Sequence, residues 1–359
     1  MKKQYQDQNT GPKIFLNRLL SNLDIPENVK VYNPDNISLK NAKMSDRKRE
    51  IMLARLDGAY FYKFTFKELL GFFSKRGYLD YRSNNIGGSI EPSRILTILL
   101  NKRLNYNSRW LIDNSDGVVF QSKLSKNMHD KFTGTAKLRN FVIINNGVDL
   151  DRFKPTLKEG KWKDYFPNII ISASTYRPNK RLTDAIKLTN ILSRHFPNIC
   201  LHVLGDISKE VKEEITTQDT KRCKFHGRIE PSLLPKFYSS CDMQFHLGIF
   251  DPCPNVVVEG LASGLPVITP EESGTYELIQ SNVNWSVKEN KELDFYENHR
   301  PGVLQIIDLE PYIQKIISVI EDISFHKNVA RSIAEENLDI IKISEKYENF
   351  IRSTQKLSS

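Results

Sequence analysis

The sequence DPCPNVVVEGLASGLPVI at residues 251–268 contains one complete helix and the start of a strand. Prolines lie at its opening turn and a glycine lies after its last turn, which is the usual distribution of these residues at helix ends. The pattern therefore predicts a helix that begins near Pro254 or Asn255 and ends at Gly264. The β-branched pair after Pro266 predicts a strand, so this stretch is the helix and strand of an α/β unit.

Short apolar runs of the kind found in buried strands occur on both sides of this helix. They lie at residues 168–172, 199–204, 224–226, 243–247 and 266–269. Between the first two runs, apolar residues recur at helical spacing from Leu182 to Leu192, which predicts a helix over about 180–194. Because strands and helices alternate, we expect a doubly wound α/β domain with a parallel sheet from about residue 156 to 330.

The first half of the chain has the same alternation in a weaker form. Strands are predicted at 28–32, 51–55, 117–120 and 141–144, and helices at 13–23, 64–77, 92–104 and 123–132. The turn signal Asn-Asn-Gly at 145–147 ends this part. We therefore predict an α/β protein with domains at 1–150 and 151–330, followed by a C-terminal helix at 331–359 that returns toward the first domain.

The composition and the charge of the chain limit its function classes. Of 359 residues, 39% are hydrophobic and 26% charged, which excludes collagen, long coiled coils and wholesale disorder. Residues 1–150 contain 25 Lys and Arg against 14 Asp and Glu, whereas residues 151–359 contain 27 against 29. A positive first half is able to attract nucleic acid, an anionic membrane or a phosphorylated small substrate, and the charge alone leaves these three open.

Several common site patterns are missing from the sequence. The four cysteines form no C-x-x-C pair, and Asp149 and Asp151 lie in a turn without a nearby acidic or His partner, so no metal site is expected. His226 and His246 end strands that face the expected crevice, and a role there stays open. No apolar run approaches the ~18 residues of a membrane span, so we expect a cytoplasmic protein. The aromatic and basic segment at 60–73 either packs in a core or makes peripheral membrane contact.

The start of the helix near residue 254 is the strongest candidate for a binding site. Its first amide groups face the crevice at the carboxyl end of a parallel strand, where they favour a phosphate. The donors expected there are the amides of Cys253, Asn255 and Val256, because proline has no N–H. Asp251 and Glu259 flank them, and two acids beside a phosphate are expected to bind hydroxyl groups on either side of it. A sugar nucleotide contains both phosphates and such hydroxyls.

Asp251 and Glu259 are separated by seven residues, and this spacing resembles the E-x7-E signature of family 4 retaining glycosyltransferases, with Asp in the first position. Further segments resemble that family in order and spacing. They are Ile144–Asp149, Ser172–Leu182, Val203–Asp206, Phe225–Ile229 and Gly274–Glu277, together with Gly11-Pro12 and Arg55–Gly58. The resemblance is strong over about 116–280 and thin before it. It implies the GT-B fold, in which two Rossmann-like domains face each other across a cleft.

By this resemblance, four side chains act in catalysis. Arg177 and Lys180 follow a predicted strand and would neutralise the departing diphosphate, while the neighbouring Arg181 is expected to be a solvated charge on a helix. Glu259 would bind the ribose, and Asp251 the hydroxyls of the transferred sugar. Because Asp is one methylene shorter than Glu, the carboxylate reaches about 1.5 Å less far, which indicates a different sugar, a backbone shift or lower activity.

The resemblance places the rest of the donor site in backbone groups. Those of Gly227, Arg228 and Ile229 would meet the nucleobase, and Gly11 would meet the phosphate from the facing domain. The sequence itself adds Asp57, which ends a predicted strand and either holds an acceptor hydroxyl or caps a turn.

The activity implied by the resemblance is transfer of a hexosyl group from a UDP-, GDP- or ADP-sugar to a hydroxyl, with retention of configuration and without a metal or another cofactor. The acceptor would be a glycan, a lipid-linked compound or another hydroxyl compound, including an anionic one, and no nucleic acid is expected. Two alternatives stay open. One is a basic module that binds nucleic acid or an anionic surface and has a degenerate sugar-nucleotide site, and the other is a nucleotide-sugar epimerase of the same fold.

Overall fold

The computed structural model describes residues 11–34, 51–57, 105–135, 138, 140–157, 164–279, 283–289 and 308–358. The helices predicted at 64–77 and 92–104, and the aromatic and basic segment at 60–73, lie outside these residues. In the described part of the chain, none of the helices combines the length and the apolar character of a transmembrane segment.

The first half of the chain forms a four-stranded parallel sheet. Its strands lie side by side in chain order: β1 (Val29–Tyr32), β2 (Ile51–Leu56), β3 (Gly117–Phe120) and β4 (Phe141–Ile143). Among the described residues of this half, the helices are α1 (Gly11–Leu20) and α2 (Lys123–Phe132), and residues 105–114 are also helical. The four predicted strands are confirmed to within one residue at each end. The helix predicted at 123–132 is confirmed, and the one predicted at 13–23 begins and ends earlier.

The second half forms a six-stranded parallel sheet with the order β10-β9-β8-β5-β6-β7. The strands are β5 (Asn168–Tyr176), β6 (Cys200–Ile207), β7 (Cys223–Gly227), β8 (Met243–Phe245), β9 (Val267–Pro270) and β10 (Ser286–Val287). The helices between them are α3 (Leu182–Leu192), α4 (Lys209–Ile215), α5 (Leu234–Ser239), α6 (Asn255–Ala262) and α7 (Gly274–Ile279). Within this sheet, β6 and β7 are added in sequence on one side of β5, and β8, β9 and β10 are then added on its other side. The predicted doubly wound sheet is confirmed. The order in which the chain adds strands reverses between β5 and β8, which are neighbours in the sheet.

Residues 308–358, which the structure describes after the second sheet, form three helices, and the last one packs on the first sheet. They are α8 (Glu310–Glu321), α9 (Ile323–Asn337) and α10 (Ile340–Ser358). Ile343 and Tyr347 of α10 are buried in one hydrophobic cluster with Leu53 of β2 and Val119 of β3. The final helix therefore covers the first sheet with apolar side chains, although it follows the second sheet in the chain.

A glycine in β6 allows the irregular course of β5 just before the candidate site. Between the pairs Ser172–Leu204 and Thr175–Asp206, β5 contains one more residue than β6, which is a β-bulge. Gly205 lies opposite this bulge with φ +123°, and a Cβ atom there would lie 1.8 Å from the carbonyl oxygen of Ala173. Only glycine accommodates both the dihedral angle and this close approach.

We predict that Gly205→Ala lowers the free energy of unfolding by more than about 3 kcal/mol, because the new methyl group adds a backbone clash to a strained φ. Gly227→Ala is the matched control, since Gly227 also has a positive φ, of +65°, but has no atom within 4 Å of a built Cβ. Its cost should be about 1 to 2 kcal/mol. Urea denaturation measures both, and equal costs for the two variants would contradict the role assigned to the bulge.

Candidate active site

Two charged side chains form an ion pair beyond the carboxyl ends of the neighbouring strands β5 and β8, where the order of strand addition reverses. Lys180 ends the 3-10 turn Pro178–Lys180 after β5, and Asp251 lies in the loop after the neighbouring strand β8. Lys180 Nζ donates to Asp251 Oδ2 at 2.6 Å. Burial alone would raise the pKa of Asp251, but Lys180 and His246 lower it below its ordinary range. The carboxylate is therefore ionised at neutral pH and lies in the crevice where ligands of open α/β sheets bind.

The loop that carries Asp251 is held against the start of α7. The amide of Gly274 donates to the carbonyl oxygen of Asp251 at 2.9 Å. A Cβ atom on Gly274 would lie 1.9 Å from the carbonyl oxygen of Pro252, so a side chain there would displace the loop. Gly274 belongs to a segment singled out in the sequence, and its close approach to this loop explains the glycine.

Asn146 connects the first turn of α6 to the first sheet. Its side-chain amide donates to the carbonyl oxygen of Cys253 and to Asn255 Oδ1, at 2.9 Å each, and its backbone amide donates to Cys253 Sγ at 3.2 Å. Cys253 is buried, and this burial raises its thiol pKa to about 12. The amides of Asn255 and Val256 belong to the first turn of α6, where amide groups have no acceptor within the helix. The helix start predicted as a phosphate site therefore lies at the boundary between the two sheets.

Glu259 lies one turn deeper in α6 and binds a cation from the first half of the chain. Arg18 Nη2 in α1 donates to Glu259 Oε1 at 2.8 Å, and Arg18 Nη1 donates to the carbonyl oxygen of Gly147 at 2.7 Å. Burial raises the pKa of Glu259, and Arg18 partly opposes that shift. Because a carboxylate accepts several hydrogen bonds, the contact with Arg18 leaves acceptor capacity on Glu259.

Asp57 directly follows β2 and is paired with a buried arginine. Arg55 Nη1 donates to Asp57 Oδ1 at 2.6 Å, and Arg55 Nη2 donates to Asn146 Oδ1 at 2.8 Å. Burial alone would lower the pKa of Arg55, but Asp57 raises it, so the guanidinium keeps its charge. Since Asn146 also donates to the carbonyl oxygen of Cys253, hydrogen bonds connect Asp57 through Arg55 and Asn146 to the helix start.

The other predicted site residues lie at strand and helix ends. Gly227 ends β7 in a left-handed conformation, and Arg228 after it is exposed and donates to Asp206 Oδ2 at 2.8 Å. Ile229 is half-buried. Gly11 is the first residue of α1. Arg177 precedes the turn that contains Lys180, and its side chain is exposed.

The prediction for Arg181 is wrong, because its side chain is buried in an ion pair. The sequence indicates a solvated charge on a helix, but the side chain is 3% exposed. Its guanidinium donates to both carboxylate oxygens of Glu289, at 2.6 and 2.9 Å, and Tyr312 donates to the same carboxylate at 2.6 Å. Arg181 has a left-handed φ of 53° at the junction between the turn and α3, and its side chain is buried there.

Comparisons with known proteins identify part of this chain. Residues 154–298 match the family described as Glycosyl transferases group 1. An uncharacterized glycosyltransferase of Methanocaldococcus jannaschii is 25% identical over 161 residues. That match covers 44% of this chain and 40% of the relative. The second half of the chain therefore contains a group 1 glycosyltransferase domain.

Solved glycosyltransferase structures match both halves of the chain. HepE of Anabaena in complex with UDP-glucose has a TM-score of 0.61 at 17% identity, covering 95% of this chain and 81% of HepE. The fold is GT-B. Sucrose-phosphate synthase of Thermosynechococcus elongatus has a TM-score of 0.61 at 13% identity, covering 97% of this chain and 78% of that one. TarM of S. aureus, bound to fondaparinux, α-GlcNAc-glycerol and UDP, has a TM-score of 0.60 at 13% identity, and the match spans 90% of this chain but 55% of TarM.

The GT-B cleft contains residues that sequence reasoning missed. Arg18 has no local signal, and Asn146 lies in a stretch interpreted only as a turn. Glu277 belongs to one of the segments that resemble the glycosyltransferase family, but the sequence does not predict its partners. Its carboxylate accepts hydrogen bonds from the amides of Lys123 and Leu124, at 2.7 Å each. An anion at these amides is favoured by the start of α2, so this contact joins the two halves on the other side of the cleft.

We predict that Arg18→Met lowers the free energy of unfolding at pH 7 by about 2 to 3 kcal/mol, because it leaves Glu259 buried without its cation. Adding Glu259→Gln should recover most of this loss. The folded-state pKa of Glu259 is raised and should rise further in Arg18→Met, so protonation favours the folded variant and the loss should shrink as the pH falls.

Urea denaturation of Arg18→Met between pH 5 and pH 7 makes this measurement. Arg352→Met is the matched control, since Arg352 forms an exposed ion pair with Glu348 that should contribute little. A loss that equals the control, or that grows as the pH falls, would contradict the pairing of Arg18 with Glu259.

Proposed function

We propose that this protein is a retaining glycosyltransferase that moves a hexosyl group from a nucleoside-diphosphate sugar to an acceptor hydroxyl. The contact between Lys180 and Asp251 carries the proposal, because it joins a cation and an acid at the point of the sheet where ligands of this architecture bind. Asp251 and Glu259 then correspond to the two acids of the E-x7-E signature of family 4, with Asp in the first position. The group 1 glycosyltransferase domain at 154–298 supports the same activity.

In this proposal the diphosphate lies at the start of α6. The amides of Asn255 and Val256 bind its oxygens, and Gly11 at the start of α1 approaches it from the facing half. Lys180 has three N–H donors and gives one to Asp251, so it is able to bind a phosphate oxygen as well. Arg177, exposed beside Lys180, adds a second cation.

The two acids would hold the sugars on either side of the diphosphate. Glu259 binds ribose hydroxyls with the acceptor capacity that Arg18 leaves, and Asp251 binds hydroxyls of the transferred hexose. The nucleobase lies against the backbone of Gly227, Arg228 and Ile229. HepE was solved with UDP-glucose and TarM with UDP, so uridine nucleotides are the first donors to test.

The proposed reaction forms a bond between the acceptor oxygen and the anomeric carbon while the bond from that carbon to the diphosphate breaks on the same face. The acceptor proton passes to the departing phosphate oxygen, so no protein nucleophile is needed. Catalysis then depends on position and on preorganised charge from Lys180, Arg177 and the α6 amides. Asp57, held by Arg55 near Cys253, is the candidate to orient the acceptor hydroxyl. The positive first half favours an anionic glycan or lipid-linked acceptor.

We predict that Lys180→Ala and Glu259→Ala each lower the rate of sugar transfer, or of donor hydrolysis, at least about tenfold. Lys180→Ala removes charge stabilisation of the leaving diphosphate, and Glu259→Ala removes the ribose contact. Lys212→Ala and Glu213→Ala are the controls, because these charged side chains are exposed on α4 and have no assigned role in the site. Wild-type rates in both site variants, measured by release of nucleoside diphosphate, would contradict the assigned site.

A thermal-shift panel tests the donor class. We expect one of UDP-glucose, GDP-mannose and ADP-glucose to raise the midpoint of thermal unfolding, because a ligand at 100 times its dissociation constant stabilises the folded state by about 2.7 kcal/mol. Single-stranded DNA and RNA oligonucleotides serve as competitors in the same assay. Stabilisation by the oligonucleotides and by none of the sugars would instead favour the basic binding module.

A further inference from the structure

His246 lies directly after β8, behind the carboxylate of Asp251. Its side chain is 5% exposed, and its Nε2 atom lies 3.6 Å from Asp251 Oδ2. Among the residues that the structure describes, Nε2 has no hydrogen-bond partner. A buried polar atom without a partner is costly, so the direction in which this nitrogen points requires an explanation.

Two hydroxyl groups lie on the Nδ1 side of the His246 ring. Ser273 Oγ donates to Thr275 Oγ1 at 3.2 Å, and Thr275 Oγ1 lies 2.8 Å from His246 Nδ1. The amide of Thr275 donates to Ser273 Oγ at 3.3 Å, which leaves the Ser273 proton for Thr275. This arrangement allows Thr275 to donate its proton to Nδ1, and a neutral ring that accepts there carries its own proton on Nε2.

We propose that His246 is a positioning residue for Asp251. Its Nε2–H is directed at the carboxylate that binds hydroxyls of the transferred hexose. The inference rests on the proposed function and adds a residue to the same site. Lys180 is the other group on Asp251 Oδ2, and it must also serve the diphosphate. When Lys180 turns toward phosphate, the imidazole keeps a donor on the carboxylate and holds it in one orientation.

A neutral imidazole suits this position better than a second cation. Burial lowers the pKa of His246, and the nearby Lys180 acts in the same direction, while Asp251 opposes them. A neutral ring is therefore able to direct Nε2–H at the carboxylate without adding charge that would repel Lys180. Asp251 has a shorter side chain than the glutamate of the resembled signature, so its carboxylate stays close to β8, within reach of a residue that follows this strand.

A pair of amide variants separates positioning from packing. The side-chain amide nitrogen of Gln occupies the place of Nε2, and that of Asn occupies the place of Nδ1. We expect His246→Gln to keep kcat/KM for transfer within about threefold of wild type and His246→Asn to lower it about tenfold, since only Gln retains a donor toward Asp251. The substrates are UDP-glucose, GDP-mannose and ADP-glucose, and Kd for UDP should change in neither variant.

The outcomes distinguish this inference from the proposed function. If the wild type turns over one of the three donors and the two variants lose activity equally, or if His246→Asn keeps full activity, the role of His246 is overturned while the transferase assignment stands. If the wild type turns over none of them, the proposed function fails and this inference fails with it.

Nuclear magnetic resonance of the ¹⁵N-labelled imidazole provides a readout that does not depend on activity. We expect His246 of the wild type to carry its proton on Nε2 and Thr275→Val to lose that preference. A wild-type ring protonated on Nδ1 would overturn the positioning role, whatever the variants do in the transfer assay.

Discussion

The hydrogen bonds of Asn146 fix the start of α6 against the edge of the first sheet, and the geometry of the site depends on them. One side chain accepts a hydrogen bond from Arg55 and donates to Cys253 and Asn255. Both N–H groups of the amide are used, and the partners are buried or half-buried, so removal of this residue would leave several polar groups unpaired. Because the contact joins the two sheets, the start of α6 lies at the boundary between them.

The topology of the second sheet determines which charges meet in that space. Since the chain changes direction between β5 and β8, the residues after these two strands lie side by side, and Lys180 reaches Asp251. The two acids of the site differ in environment. The pKa of Asp251 is lowered beside Lys180, whereas burial raises the pKa of Glu259 despite Arg18. An acid that stays ionised beside Lys180 is able to accept hydrogen bonds from sugar hydroxyls, and a buried acid beside Arg18 suits a fixed contact with hydroxyl groups.

The sequence predicts local features of this protein well and distant contacts poorly. The limits of α6, the strands around it and the positions of Lys180, Asp251 and Glu259 follow from short patterns of proline, glycine and β-branched residues. Arg18 and Glu259 are 241 residues apart, and no periodicity relates them. Arg181 was misjudged because a charged residue at a helix start is usually solvated, and its partners Glu289 and Tyr312 come from segments more than a hundred residues later.

A crystal structure of the protein with a nucleoside diphosphate bound tests the central claim most directly. We expect the diphosphate to lie within hydrogen-bond distance of the amides of Asn255 and Val256 and of Lys180 Nζ, with the ribose at Glu259. A nucleotide bound elsewhere would contradict this donor site. A bound diphosphate that does not contact the start of α6 would contradict it as well.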